Sequence, residues 1–426
     1  ATATAICVCI SLFASLGAAA AVSTGTLPSG GVYYLRPDST TGIAVLQIWY
    51  RVPSSGYDFK SPGIARLAMT AIAASSAPHA TPLYELVRRV GGALTIDVYP
   101  DIAAVAVSVP AAEARSVLRA MMRNFSAPSV SEAGRKRALQ ELGVDIAARA
   151  YQPDMQARDR AFGALFASGP AVQATLPASA AALERIGAEQ IRAFATRAFR
   201  PQNAIVTLAG KVDVALLDGL AVVPVLGGVA DAPFDSAAAA NPIQNPAPPS
   251  PAALALAWAG PGIERSRETT ALDAVARALF DERTGSIALL ARRAYPDLTV
   301  TGRFITMHSG GVFLVTVAGP HPERLREPIE SGIAELATPL SPAQFAIAHT
   351  IFEYRTNAEY QTPDAQARAL GWFAAEGRPQ DAPGVPGGTY ESDAAQLDAA
   401  TVAAAVRKYL GHPAVAYALR PAGEGP

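Results

Sequence analysis

Residues capable of chemistry are few in this 426-residue chain, and they do not converge along it. The five histidines are His79, His308, His321, His349 and His412. None stands three or four residues from another, the spacing that sets two imidazoles on one helix face for a metal. Cys7 and Cys9 are the only cysteines, and both lie in an apolar run near the start. No Gly-x-Ser-x-Gly elbow and no phosphate-cradling glycine loop occurs. Two doubled arginines, Arg88–Arg89 and Arg292–Arg293, each end a predicted helix, where a cation meets the negative end of the helix dipole. The most informative stretch is Ser61–Thr70, SPGIARLAMT. On a helix Arg66, Met69 and Thr70 share one face, at i, i+3 and i+4. A guanidinium, a thioether and a hydroxyl there neither hold zinc well nor take a proton from water.

Composition narrows the function classes. Half of the residues are hydrophobic and 17% are charged, so core burial is not limiting. The 35 basic and 36 acidic side chains leave a net charge of −1 and form no basic stripe, which argues against nucleic acid as a partner. Residues 5–22, AICVCISLFASLGAAAAV, form an uncharged apolar run slightly short for a spanning helix, ending in small residues. Residues 1–22 are therefore expected to be a secretory signal, with no other membrane contact. With no cysteine beyond it, a periplasmic location is expected.

The elements that would position Ser61–Thr70 occur twice. Residues 215–252 lose periodicity and fill with Pro, Ala and Asn; five prolines between 242 and 251 forbid a helix or an inner strand, so the segment is expected to be a linker. It separates an N-terminal domain, 28–214, from a C-terminal one, 253–426. Each opens on a strand (43–52; 254–260) followed by an amphipathic helix (63–77; 268–280). Each then runs through a helix with the paired arginines into alternating strands (83–110; 287–319) and a further helix (111–124; 321–337). Each closes on helix, turn and strand (189–210; 400–421). Helices and strands do not alternate one for one, which predicts an α+β fold of two homologous domains, each a largely antiparallel sheet packed with helices. Ser129 with Glu132 reads as a capping box.

This layout resembles the short, two-domain bacterial members of the pitrilysin/insulinase superfamily, kin of mitochondrial processing peptidase and the cytochrome bc1 core proteins. The likeness covers roughly 30–421 and is carried by SPGIARLAM (61–69), VGGALTIDVYPDIAAVAVSVP (90–110) and IGAEQIRAFATRAFRPQNAIVTLAGKVD (186–213). In that family a Gly-x-Ala turn leads into His-x-x-Glu-His, whose imidazoles bind zinc while the Glu activates water. Gly63 and Ala65 keep the lead-in, whereas the resemblance places Arg66, Met69 and Thr70 on the chemical positions. The third ligand, a Glu on a later helix, falls on Gln140; Glu141 beside it is expected to point elsewhere. A substrate-contacting Asn falls on Thr95. A substrate-binding Arg and Tyr, seven residues apart in the second domain, fall on Arg292 and Thr299; Tyr295, three residues after Arg292 and before a proline, is not expected to substitute. The resemblance thus implies a non-catalytic chain with no metal of its own. It would be one subunit of a heterodimeric zinc peptidase, pairing with a homologue that bears His-x-x-Glu-His and helping to hold a peptide substrate. A scaffolding subunit, like the bc1 core proteins, and a stand-alone peptide-binding homodimer are the alternatives.

Overall fold

The computed structural model describes residues 22–51, 61, 63–75, 81–99, 101–149, 151–165, 180–220, 244–246, 252–308, 310–383, 385 and 388–420. The expected signal, its two cysteines, His79 and most of the expected linker lie outside the described residues.

Two sheets are built on one plan. The first has strands β1 (Ser23–Thr26), β2 (Val32–Pro37), β3 (Ile43–Arg51), β4 (Ala93–Val98), β5 (Ile102–Pro110) and β6 (Ile205–Gly210), in the order β1-β2-β6-β3-β5-β4. The second has β7 (Gln244–Pro246), β8 (Ala253–Gly260), β9 (Thr299–Thr306), β10 (Gly311–Ala318) and β11 (Val415–Arg420), in the order β7-β11-β8-β10-β9. Without β1 the orders are identical, and so are the directions: β2–β6 and β7–β11 are parallel, and the remaining shared neighbours are antiparallel. The α+β expectation of two largely antiparallel sheets packed with helices is what the structure has. β7, in the proline-rich stretch, adds to the edge of its sheet, where a missing N–H is tolerated. Leu216, Leu217 and Leu220, also in the stretch read as linker, pack into the first core.

The helices repeat as well. The first half carries α1 (Ile64–Ala74), α2 (Leu83–Arg89), α3 (Ala114–Ser126), α4 (Glu132–Arg149), α5 (Pro153–Leu165), α6 (Ala180–Glu184) and α7 (Ala188–Ala198). The second carries α8 (Ser266–Phe280), α9 (Ser286–Ala294), α10 (Arg326–Glu335), α11 (Pro342–Glu359), α12 (Pro363–Ala375), α13 (Thr389–Ala395) and α14 (Ala399–Tyr409) in matching order.

Period-two alternation decides what each sheet face covers. On β3, Ala44, Leu46, Ile48 and Tyr50 face the first half's own helices, including α1, α3 and α7. The odd residues Val45, Gln47 and Trp49 face the other way and are equally buried. Their cover is α12, a helix of the second half, whose Ala367, Ala374 and Ala375 pack on that face. The exchange is reciprocal: Ala157, Ala161 and Leu165 of α5 pack on Ala253, Ala255 and Ala257 of β8. A sheet buried on both faces needs two layers of helix, and here each half supplies one layer of the other's. Close approach is required at Gly371, where a Cβ would lie 2.0 Å from the Trp49 indole nitrogen.

The tips of the β4–β5 and β9–β10 hairpins are tied together. The His308 backbone N–H donates to Asp101 Oδ2 at 3.0 Å, and its Nδ1 lies 3.1 Å from the Glu376 carbonyl oxygen just past α12. Burial pushes the Asp101 carboxyl above the usual carboxylate range. Arg368 of α12 pairs with Asp97 of β4, a second polar link between the halves.

Candidate functional site

Helix α1 begins at Gly63, whose φ of 82° is left-handed and favours glycine. All of its residues except Arg66 are buried, so it is a core helix, apolar nearly all round. Met69 is 0% exposed within the first core. Thr70 is buried too, and its hydroxyl donates to the Arg66 carbonyl at 2.8 Å, the satisfaction a buried hydroxyl finds one turn back in its own helix. Only Arg66 reaches out of the helix, with Nη2 3.5 Å from Asp145 Oδ2 on α4.

The long helix α4 crosses α1 closely. A Cβ on Gly134 would lie 2.0 Å from Ser75 Oγ, at the C-terminal end of α1. Ser131 begins α4: its Oγ accepts from Gly134 N–H at 3.0 Å, and its own N–H donates to Ser75 Oγ at 3.1 Å. The cap is therefore Ser131, two residues after Ser129, because the helix that must seat Gly134 on α1 starts at Glu132.

That seating fixes the helical phase and corrects the assignment of Gln140. Gly134, Ala138 and Leu142 are the buried line of α4, and Gln140 lies on its exposed side. Glu141 and Asp145, one turn apart, flank the buried line instead. Glu141 hydrogen-bonds the Tyr84 hydroxyl of α2 and pairs with Arg137 at 3.2 Å, while Asp145 meets Arg66. Burial, and next the Glu141 charge, push the Tyr84 phenol above its ordinary range, so it stays neutral. The carboxylate nearest Arg66 is therefore Asp145, and Glu141 is a bonded member of the cluster.

From Arg66 the charges continue as a chain. Asp145 lies 3.7 Å from Arg149, Arg149 reaches Asp159 of α5 at 3.0 Å, and Asp159 holds Arg158 at 2.7 Å. These residues join α1, α4 and α5 by ion pairs. They do not fit a zinc ion: the group facing the acids is a guanidinium, and the two positions beside it are filled by packing. Among the described residues, no group of three or more His, Cys, Asp or Glu side chains is placed to hold a metal.

The expected substrate contacts are spread out. Thr95 is exposed on β4, which ends its sheet and pairs with β5 alone among the described residues. Arg292, in the last turn of α9, is exposed and donates to the Glu282 carbonyl. Thr299 starts the other end strand, β9, and its hydroxyl lies 3.5 Å from the Ala318 carbonyl. Tyr295 caps α9 and packs against the second core. No contact joins Arg292 to Thr299 among the described residues.

A second group of titratable residues went unnoticed in the sequence. The Tyr390 hydroxyl of α13 donates to Asp273 Oδ2 of α8 at 3.2 Å. Burial pushes the Asp273 carboxyl up to about 7 against the pull of Tyr390 and Arg277. These residues border a cavity of about 440 Å³ between α8, α12 and β9. Their only sequence signal is a lone Asp on the apolar side of an amphipathic helix.

With this geometry in hand, comparison with known proteins defines the class of fold. No family model matches the sequence, and no curated protein matches it. Solved structures do match. A protease from Helicobacter pylori superposes with a TM-score of 0.82 at 15% identity, covering 95% of this chain and 100% of that one. A peptidase M16 inactive domain from Pseudomonas fluorescens gives 0.77 at 16% identity, covering 95% and 100%. A chain of Complex III2 from Candida albicans, solved with Inz-5 bound, gives 0.76 at 13%, covering 93% and 95%. The chain therefore has the two-sheet fold of M16-like peptidases, and that fold also serves a domain described as inactive.

Proposed function

We propose that this chain is a non-catalytic, periplasmic member of a zinc peptidase pair, in which a homologue bearing His-x-x-Glu-His holds the metal and attacks the peptide bond. The observation that carries this reading is the state of α1. Met69 and Thr70 are sealed in the core and Arg66 is engaged by Asp145, so the positions that would do chemistry do structural work instead. The likeness to an inactive M16 domain supports it. Peptide handling has a physical basis in β4, an end strand whose outer edge offers N–H and C=O groups to an extended chain. This chain would form one wall of the chamber and align the substrate backbone, with Arg292 and Thr299 as side-chain contacts from the second half.

A scaffolding role is the second reading. The separation of Arg292, held by its own loop, from Thr299 favours it, as does the likeness to a Complex III2 chain. Mixing experiments separate the two. The chain and a homologue carrying the intact motif are purified apart, assayed for zinc and for cleavage of a quenched fluorescent peptide, then combined. The proposal expects no zinc in this chain and activity that appears or rises steeply on mixing. Binding to the homologue without any gain in activity would favour the scaffold, and stoichiometric zinc with cleavage by this chain alone would sink both.

A further inference from the structure

The cavity between α8, α12 and β9 has the features of a ligand site apart from the α1 region. Its volume of about 440 Å³ falls in the range of small-molecule pockets, and a second cavity of about 560 Å³ adjoins it. The two share Asp273, Arg303, Phe304, Glu359, Tyr360 and Tyr390 as walls. Elsewhere the first cavity is largely apolar, with Ile263, Met307, Trp372 and Phe373 among its walls.

Most charged groups on its walls are already matched. Arg368 is held by Asp97, Glu359 by Arg277 and Asp381 by Arg378, and Asp273 receives the Tyr390 hydroxyl. Arg303 is the exception: its guanidinium makes no hydrogen bond or ion pair among the described residues. The side chain is exposed on β9, and desolvation with the neighbouring Arg158 lowers its pKa while Tyr99 and Asp159 oppose that shift. Arg303 also stands at the end of the ion chain from α1. Counting it, Arg66, Arg149, Arg158 and Arg303 gather around Asp145 and Asp159. The Tyr360 hydroxyl likewise has no hydrogen-bond partner among the described residues, and Tyr360 lines both cavities.

We propose that this cavity binds a small carboxylic acid with an apolar body, its carboxylate held by Arg303 and the Tyr360 hydroxyl and its body packed between Phe304, Trp372 and Phe373. A planar guanidinium matches a carboxylate in two parallel hydrogen bonds. The apolar walls disfavour a phosphate or sugar, which would bring more polar groups than the cavity can pair. Asp273, mostly protonated below about pH 7, adds little opposing charge there, and the Glu359 carboxylate is engaged by Arg277. Two sources carry this chemistry: a free aryl- or alkyl-carboxylic acid, and the C-terminus of a short apolar peptide.

Calorimetric titration of the whole chain at about pH 6 tests the site, with 4-phenylbutyrate and N-acetyl-Ala-Phe as probes, each set against its primary amide. One carboxylate per chain is expected to bind, with the amide at least about tenfold weaker because it cannot form the charged pair. The probe that binds identifies the source. Arg303→Gln is expected to weaken binding by at least about tenfold, and Tyr360→Phe by about fivefold. As Arg303 is exposed and makes no hydrogen bond or ion pair among the described residues, R303Q should keep the parent's circular dichroism and melting temperature. Ala365→Phe, which fills the cavity while leaving Arg303 in place, provides an independent loss of binding. Absence of binding by both acids, equal binding of acid and amide, or unchanged affinity in folded R303Q or A365F would overturn the proposal.

Discussion

Burial and the charge of Glu359 favour the neutral form of Asp273, whereas the Tyr390 hydroxyl and Arg277 favour the charged one. Tyr390 from α13 donates to it, Tyr360 and Glu359 approach from the end of α11, and Arg277 on its own helix is drawn off by Glu359. Burial, the largest cause, lifts its pKa to about 7 from an ordinary value of 3.8. A carboxyl raised on folding binds a proton in the folded state after the unfolded chain has lost it. Its stabilising contribution is thus complete below about pH 4 and lost as pH rises through about 7. The steepest slope one group can give is about 1.4 kcal/mol per pH unit. Asp273→Asn cannot titrate, so urea unfolding should show the parent losing more stability than D273N between about pH 5 and 8; equal losses would show that the carboxyl is not raised. Neither this pair nor the true partner of Arg66 was legible in the sequence. Tyr390 lies 117 residues from Asp273. On α4 the apolar pattern is too weak to set a phase, because Val144 is apolar yet 71% exposed and the buried line is Gly134, Ala138 and Leu142. Gln140 and Glu141 could not be told apart without knowing that Gly134 seats on Ser75.

Helix α12 shows what pattern reading captures and what it misses. Thr362 before Pro363 announces its start, and the Thr362 hydroxyl accepts from the Ala365 N–H at 3.2 Å. Its apolar face is equally readable. Which sheet that face covers is not, because alanines fit any closely approaching partner. The strands held a hint: Val45, Gln47 and Trp49 alternate with Leu46, Ile48 and Tyr50, and a strand apolar on both sides needs cover on both. The contact is tight, with Gly371 against the Trp49 indole and Trp49 Nε1 donating to Gln47 Oε1 at 2.9 Å beneath it. Gly371→Leu would have to displace the indole and break that hydrogen bond. Overpacking of this kind costs about 1–3 kcal/mol, more than the roughly 1 kcal/mol that replacing a helical glycine returns. Guanidinium titration should show the net loss; unchanged stability would mean that α12 does not bear on the first sheet as described.

Across the whole molecule, the exchange of α5 and α12 makes each half depend on the other in a way the 28–214 and 253–426 division does not convey. Removing α12 uncovers Trp49, Ala104, Ile205 and Ala209 on the first sheet; removing α5 uncovers Ala253, Ala255, Ala257 and Leu314 on the second. Contiguous apolar faces of that kind drive association or aggregation. The Asp97–Arg368 pair and the Asp101–His308 link would be cut as well, leaving the Asp101 carboxyl in a half-formed pocket. Two consequences distinguish this molecule from two beads on a string. The intact chain should unfold in one calorimetric transition, because neither sheet keeps both covers once the other melts. Fragments covering 22–220 and 244–426 should each be insoluble or molten when expressed alone, and should recover native circular dichroism when co-expressed. A two-step transition in the intact chain, or a well-folded 22–220 fragment on its own, would show that the first sheet does not need α12. Such dependence suits a chain whose proposed task is to present a fixed wall. On the proposed function, its geometry would be the contribution it brings to a partner, and the exchanged helices hold both end strands, β4 and β9, to that one geometry.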